Sequence, residues 1–372
     1  MPYGQQWVTE EDIEAVLDVL RSPFLTQGPK VEQFEQKVAS YVGAKYAVAF
    51  ANGTAALHGA CVAAGISEGD EVITTPITFV ATANAVLYCG GKPVFADIDE
   101  RTYNIDPDDI HKRVTARTKA IIPVDFTGQP ADMDAVMNIA QKHNLIVIED
   151  GAHSFGAEYK GRKVGTMAHM TMFSFHPVKP ITTGEGGVIV TNDERYYEKL
   201  LRFRSHGIVK GFADEWYYEM VDLGYNYRMT DLQAALGISQ LAKLDRYIAR
   251  RREIAAMYNE AFQQIGGVTI PYQLEQTKSG WHLYILQLHT EKLHYDRKQI
   301  FQQLRKRNIG VHVHYIPVYW HPYYEQLGYT KGICPKAERW YERALTLPIF
   351  PKMTDEDVRD VIAAVKDVVK PL

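Results

Sequence analysis

Lys179 stands between two prolines, in Phe173-Ser174-Phe175-His176-Pro177-Val178-Lys179-Pro180-Ile181-Thr182-Thr183. Each proline lacks a backbone donor and bars its predecessor from the α region, so this lysine belongs to a loop. Upstream, the apolar run Leu145-Ile146-Val147-Ile148 ends in Glu149-Asp150. A loop amine and a carboxylate at the end of a buried strand are what pyridoxal phosphate requires. The amine condenses with the aldehyde as a Schiff base, and the carboxylate keeps the ring nitrogen protonated so that the ring withdraws electrons. Singly, such a lysine is usually solvated and such an aspartate is usually a turn residue. Together they raise amine-transfer chemistry, and the rest of the chain must supply the phosphate and ring contacts.

The elements that would position this pair are legible in the hydrophobic pattern. Strands are expected over 46–50, 71–75, 93–96, 120–124, 145–149, 170–175 and 187–191. Helical patterns cover 54–64, 79–89, 133–143 and 194–204. Strands alternating with helices make a mainly parallel sheet covered on both faces. Solidly apolar strands such as Val188-Ile189-Val190 fit that burial. Thr230-Asp231-Leu232-Gln233 is a capping-box pattern that opens one long helix to about residue 262, with Leu236, Leu241, Leu244 and Ile248 along its stripe. A smaller α/β unit follows, with a strand over 281–288, a helix over 298–307, a strand over 311–315 and a terminal helix from Thr354. The chain therefore reads as α/β with two units, a large domain at 1–240 and a small C-terminal domain at 241–372.

Composition removes several other functions. The 372 residues are 46% hydrophobic and 23% charged with a net charge of −4, and the charges are interspersed. A nucleic-acid surface would cluster lysine and arginine, so none is expected. The apolar runs are too short to span a bilayer, and Met1-Pro2-Tyr3-Gly4 does not read as a signal peptide. A cytoplasmic protein with no membrane partner is expected. Cys61, Cys89 and Cys334 are odd in number and far apart, which implies no disulfide framework. His312 and His314 alternate on one strand face but lack a third ligand at recognisable spacing, so no metal is expected.

In a parallel sheet ligands bind beyond the carboxyl ends of the strands. Asp150 lies at such an end, and so does Asn52-Gly53-Thr54-Ala55, which joins a strand to a helix. Free amides and the helix dipole suit that turn to a phosphate, with the Thr54 hydroxyl as a further donor. Ser174, five residues before Lys179, can reach the same phosphate or be structural. Phe79 begins a helix after Thr75-Pro76-Ile77-Thr78; it either stacks on a pyridine ring or fills a core. The same turn lacks G-x-G-x-x-G, and Gly184-Glu185-Gly186-Gly187 precedes a strand, which speaks against a nicotinamide enzyme.

Read together, these segments resemble the DegT/DnrJ/StrS family of sugar aminotransferases nearly end to end. The resemblance includes Leu25-Thr26-Gln27-Gly28-Pro29, Gly53 to His58, Thr75 to Phe79, Glu149 to His153, Ser174 to Lys179, Gly224-Tyr225-Asn226-Tyr227-Arg228 and His314-Tyr315-Ile316-Pro317. It implies a fold-type I pyridoxal-phosphate transferase. Lys179 is then the Schiff-base lysine and Asp150 the partner of the ring nitrogen. His153 lies near the ring hydroxyl, and Phe79 stacks on the ring. Thr54, Ala55 and Ser174 hold the phosphate, with Asn226 reaching it from the second subunit of a homodimer. Phe203 to Ile208 and Thr78 to Asn84 are similar to the pseudaminic acid branch. That implies L-glutamate as donor and a UDP-linked 4-keto-6-deoxy-N-acetylhexose as acceptor; the alternatives are the 4-keto sugars of the bacillosamine, legionaminic acid, perosamine and aminoarabinose routes. Where many members carry a histidine this chain has Tyr319, as the pseudaminic branch does.

The chemistry sets demands on these groups. A free lysine titrates near 10.4, so burial must lower Lys179 for it to act as a base. Asp150 must stay ionised, helped by a hydrogen bond from His153 or by the ring itself. Substrate contacts are assigned to Arg228, His314 and Tyr319, although Arg228 suits a structural ion pair equally well. Arg202, Arg204, His206 and Lys210 form either a diphosphate site or a solvated helix end. Pocket walls are expected from 211–222 and 315–324. A regulator on the same fold is the rival reading; retention of Lys179 and Asp150 speaks against it.

Overall fold

A computed structural model describes residues 1–211 and 214–372. The first nine strands are β1 (Tyr46–Phe50), β2 (Glu71–Thr74), β3 (Lys92–Phe95), β4 (Thr118–Ile122), β5 (Ile146–Asp150), the short β6 (Glu158–Tyr159) and β7 (Arg162–Lys163), β8 (Met170–Ser174) and β9 (Gly187–Thr191). Seven of them form one sheet in the order β1-β9-β8-β5-β4-β2-β3. β9 is antiparallel to both β1 and β8, and the remaining pairs are parallel. The carboxyl ends of β1, β2, β4, β5 and β8 therefore share one edge, where β9 begins.

Side chains alternate across the sheet, and this sorts the core. Val48, Phe50, Ile148, Met170 and Met172 pack beneath the helices Gly53–Ala63 and Ala81–Tyr88. Ala47, Ala49, Phe173 and Val188 face the helix Pro29–Val42 on the other side, and Val147 faces Met133–His143 there. By the same alternation Asp150 and Ser174 lie on the face of Ile148 and Met172, while Glu149 points to the opposite face. The expected helices over 133–143 and 194–204 match Met133–His143 and Glu194–Arg204.

Two expected elements differ. The single helix to residue 262 is two, Asp231–Leu241 and Leu244–Phe262. No proline or glycine causes the break. Gln240 Nε2 donates to Trp7 O at 2.9 Å and Asp12 Oδ2 at 2.7 Å, and Lys243 Nζ donates to Asp12 Oδ1 at 2.7 Å. Asp12, fully buried, thus pins the junction against the amino-terminal helix Glu10–Leu20. Tertiary hydrogen bonds override helix propensity at this point. Beyond the break, Ile254, Tyr258 and Phe262 enter a second core with Leu304, Val361 and Val365.

The expected strand over 311–315 is reduced to one bridge, in which His312 N donates to Thr346 O at 3.1 Å and Thr346 N to His312 O at 2.8 Å. That bridge lies along the strand Ala344–Leu347, which pairs on its other edge with Tyr284–Leu288. Among the described residues no helix is long and apolar enough to cross a membrane.

Candidate active site

Lys179 is carried on the loop that joins the antiparallel pair β8 and β9. Both ends of that loop are tied, with Phe175 N donating to Gly186 O at 2.9 Å and Thr183 N to Phe175 O at 3.0 Å. Lys179 N closes a turn onto His176 O at 3.0 Å. The lysine faces a cavity of about 830 Å³ at the carboxyl edge of the sheet, which falls within the usual range for a small-molecule site. Its side chain is partly open to that space. Burial among the surrounding walls still lowers its pKa from 10.5 to about 8, with the charge of Asp150 pulling upward.

Asp150 ends β5 and is 3% exposed. Its carboxylate has two local donors: Ala152 N reaches Oδ1 at 3.1 Å, and Thr82 Oγ1 reaches Oδ2 at 2.7 Å. Burial raises the Asp150 pKa; the Thr82 and Ala152 bonds and the Lys179 charge counter it. The expected hydrogen bond from His153 is not the one made. His153 Nδ1 is buried and has no partner, and its ring lies 4.3 Å from that of His282, whose Nδ1 is also unpartnered. Burial holds both imidazoles well below the usual histidine range, so both are neutral.

The phosphate turn takes shape through register. In the sheet Gly187 lies between Phe50 and Ser174, so the segment after β1 passes directly over the start of β9. A β-carbon on Gly53 would meet Ser174 Oγ at 3.2 Å, so Ser174 and the start of the helix Gly53–Ala63 are neighbours. Asn52 caps that helix, its Oδ1 accepting from Ala55 N at 2.8 Å. The Ala55 amide is thereby occupied, and the first helical amides, those of Gly53 and Thr54, lack intrahelical partners. Thr54, Ala55 and Ser174 all line the cavity. Phe79, 57% exposed, lies at its mouth with its ring 6.2 Å from Tyr315.

The remaining assignments divide. His314 lines the cavity, with Nδ1 3.0 Å from Thr346 Oγ1 and its ring 5.1 Å from Tyr3. Burial holds it neutral, with a pKa of about 3. Tyr319, expected at the substrate, does not line the cavity. It is fully buried against Phe95, and its hydroxyl donates to Glu338 Oε1 at 2.6 Å, which makes it a core residue. Asn226 is exposed and does not line its own chain's cavity; nor does Arg228, which forms no ion pair among the described residues.

Arg202 pairs with Asp222 at 2.9 Å and Arg204 with Glu35, so neither is a free phosphate donor. Of the two expected wall segments only Tyr315 lines the cavity, and residues 212–213 of the first lie outside the described residues. His312 and His314 stack at 4.5 Å, and no cluster of three metal-ligating side chains occurs among the described residues. Sequence reasoning missed Thr82, Tyr3 and His282. Thr82 left one faint signal, its spacing of four from Thr78 at a helix start; the other two left none.

The orphaned imidazole nitrogen, the free helix-start amides, and the lysine and aspartate in one cavity fit pyridoxal phosphate. A sheet of this strand order, with its reacting groups at the carboxyl edge, defines the class of fold-type I pyridoxal-phosphate transferases. Residues 6–366 match the DegT/DnrJ/EryC1/StrS aminotransferase family, and the chain belongs to that family.

Among relatives, it is 47% identical to the spore coat polysaccharide biosynthesis protein SpsC of Bacillus subtilis, covering 100% of this chain and 97% of that one. It is 40% identical to the UDP-4-amino-4,6-dideoxy-N-acetyl-beta-L-altrosamine transaminase of Campylobacter jejuni, covering 99% and 98%. Among solved structures, PseC of Helicobacter pylori, an aminotransferase involved in pseudoaminic acid biosynthesis, superposes with a TM-score of 0.93 at 38% identity, covering 99% and 98%. The pyridoxal-phosphate form of a putative sugar aminotransferase, Spr1654 of Streptococcus pneumoniae, does so at 0.94 and 31%, with the same coverage. The chain is a pyridoxal-phosphate-dependent aminotransferase.

Proposed function

We propose that this enzyme transfers the amino group of L-glutamate to a UDP-linked 4-keto-6-deoxy-N-acetylhexose, giving UDP-4-amino-4,6-dideoxy-N-acetyl-beta-L-altrosamine. The observation that carries the reading is the meeting of Lys179 and Asp150 in one cavity, with the amine lowered to about 8. The likeness to the altrosamine transaminase and to PseC supports the acceptor. A second reading, another 4-keto nucleotide sugar bound for a coat polysaccharide, draws on the 47% identity to SpsC.

When bound, pyridoxal phosphate supplies an aldehyde for the amine and an electron-withdrawing ring. The protein supplies the rest. Near neutral pH a useful fraction of Lys179 is unprotonated, so its amine can attack a carbonyl carbon and later move a proton at the substrate carbon. Asp150, anionic, would pair with the ring nitrogen. The amides of Gly53 and Thr54 and the hydroxyls of Thr54 and Ser174 would hold the phosphate, and Phe79 would cover the ring. His153 would offer its unpartnered nitrogen to the ring oxygen. Among the described residues Lys179 is the only lysine or arginine lining the cavity. Asn226 and Arg228 are therefore assigned to the site of a second copy in a homodimer.

Lys179→Ala is expected to abolish turnover and the visible absorbance of the bound cofactor together; an active, yellow variant overturns the assignment. The acceptor is tested with a panel of UDP-linked 4-keto sugars and glutamate, scoring amination by mass spectrometry. Preference for the L-arabino-configured N-acetyl ketone supports the first reading, and preference for another 4-keto sugar supports the second.

A further inference from the structure

The anionic partner of the ring nitrogen sits in a wall that works against its charge. Asp150 is nearly sealed from water, and burial favours its neutral form. Asp125, fully buried on the segment after β4, is near enough that the Asp150 charge raises its own pKa, so the two carboxyls do not favour each other's ionisation. Among the described residues Lys179 is the cation whose charge acts on it, and that amine must itself become neutral to react. Within the protein itself, a side chain that stays with Asp150 through the whole reaction has to be found elsewhere.

Thr82 is placed to be that group. It lies in the first turn of the helix Ala81–Tyr88, on the face of the sheet to which alternation directs Asp150. Its hydroxyl is 2.7 Å from Asp150 Oδ2. Behind it, Thr78 Oγ1 is 2.8 Å from Thr82 Oγ1, and all three side chains are buried. A hydroxyl carries one proton. With Thr82 donating to the carboxylate, its oxygen is free to accept from Thr78, and each bond in such a chain polarises the next. A donor chain of this direction favours the charged form of its acceptor. The Ala152 amide fixes the other oxygen at 3.1 Å, so the carboxylate plane is held at both ends.

We propose that Thr82, backed by Thr78, is a positioning residue that keeps the Asp150 carboxylate anionic and aimed at the cofactor ring nitrogen. The competing role is local: Thr82 Oγ1 also lies 3.3 Å from Phe79 O, a bond that merely shapes the start of the helix. The two roles separate experimentally, because only the first moves the titration of the site.

Thr82→Val keeps the shape and removes the hydroxyl; Thr82→Ser keeps the hydroxyl. For Thr82→Val the expected loss in kcat/KM is roughly 10- to 100-fold, the worth of one hydrogen bond to a charged group. Its acid limb is expected to move up by about one to two pH units. Pyridoxal phosphate titrated into the apoenzyme should bind roughly tenfold more weakly to Thr82→Val. Thr82→Ser should restore the acid limb, and Thr78→Val should shift it in the same direction by less. An acid limb that stays in place in Thr82→Val overturns the proposal. Should that variant not fold, an unmoved acid limb in Thr78→Val overturns it equally.

Discussion

At Glu149, one residue from the reacting aspartate, the chain buries a carboxyl where no ligand reaches. Its Oε2 accepts from Thr171 Oγ1 at 2.8 Å, while Oε1 has no partner. Asp125 beside it takes Ser154 Oγ at 2.6 Å and Ala131 N at 2.9 Å. Of the two, Asp125 is better provided for as an anion, and Glu149 holds the proton. Burial and the Asp125 charge raise the Glu149 pKa well above its usual value. The native state then keeps a proton that the unfolded chain loses near pH 4.5, so this contribution to stability is full below that pH and fades as pH rises. Glu149→Gln removes the titration and keeps the Thr171 bond. Its melting temperature should fall less steeply than that of the parent between about pH 5 and pH 8. Parallel slopes in a pH series of thermal melts would refute the protonated Glu149.

Elements set the distances that single residues cannot. The strand alternation that sends Asp150 to the cavity sends Glu149 away from it, so neighbours in sequence serve opposite faces. The phosphate turn depends on Gly187 in the same way. A β-carbon there would lie 2.6 Å from Asn52 O and 2.8 Å from Gly53 Cα, both backbone atoms that cannot swing aside. Gly187→Ala should displace the Asn52–Gly53 turn. The expected cost is about 1 to 3 kcal/mol in stability, with weaker cofactor binding, read by thermal melts and by titration of pyridoxal phosphate. Tight binding at parental stability would show that the turn is set otherwise. The strand assignments near β1 and β9 were legible because continuous apolar runs mark buried strands. The split of the long helix at Lys243 was not, because its cause is Asp12, more than two hundred residues away in sequence.

Across the whole molecule, the cavity draws walls from the large sheet and, through His282, His312, His314 and Tyr315, from the C-terminal part of the chain. His282 stands at the start of the strand Tyr284–Leu288, and Arg251, fully buried, donates to the carbonyls of Trp281, His282 and Ile349. That guanidinium ties the His282 turn and Ile349 to the helix Leu244–Phe262. The proposal that the site is shared between copies puts Asn226, which is exposed and outside its own chain's cavity, at the site of a second copy. Lys179→Ala and Asn226→Ala are each expected to be poorly active alone. Subunits of the two, mixed and reannealed, should recover activity that neither parent shows, since some dimers regain one intact site. No recovery despite demonstrated exchange would rule out sharing.

The chain order of apolar runs, the proline-bounded Lys179 and the strand-end Asp150 were decided by local sequence, because sterics, periodicity and backbone donors act over a few residues. Which hydroxyl holds Asp150, why Tyr319 is core, and how His153, His282, His314 and Tyr3 come to one cavity were decided only in three dimensions. Those contacts join segments as distant as residues 3 and 314, and strand order with dense packing, not neighbouring residues, brings such segments together.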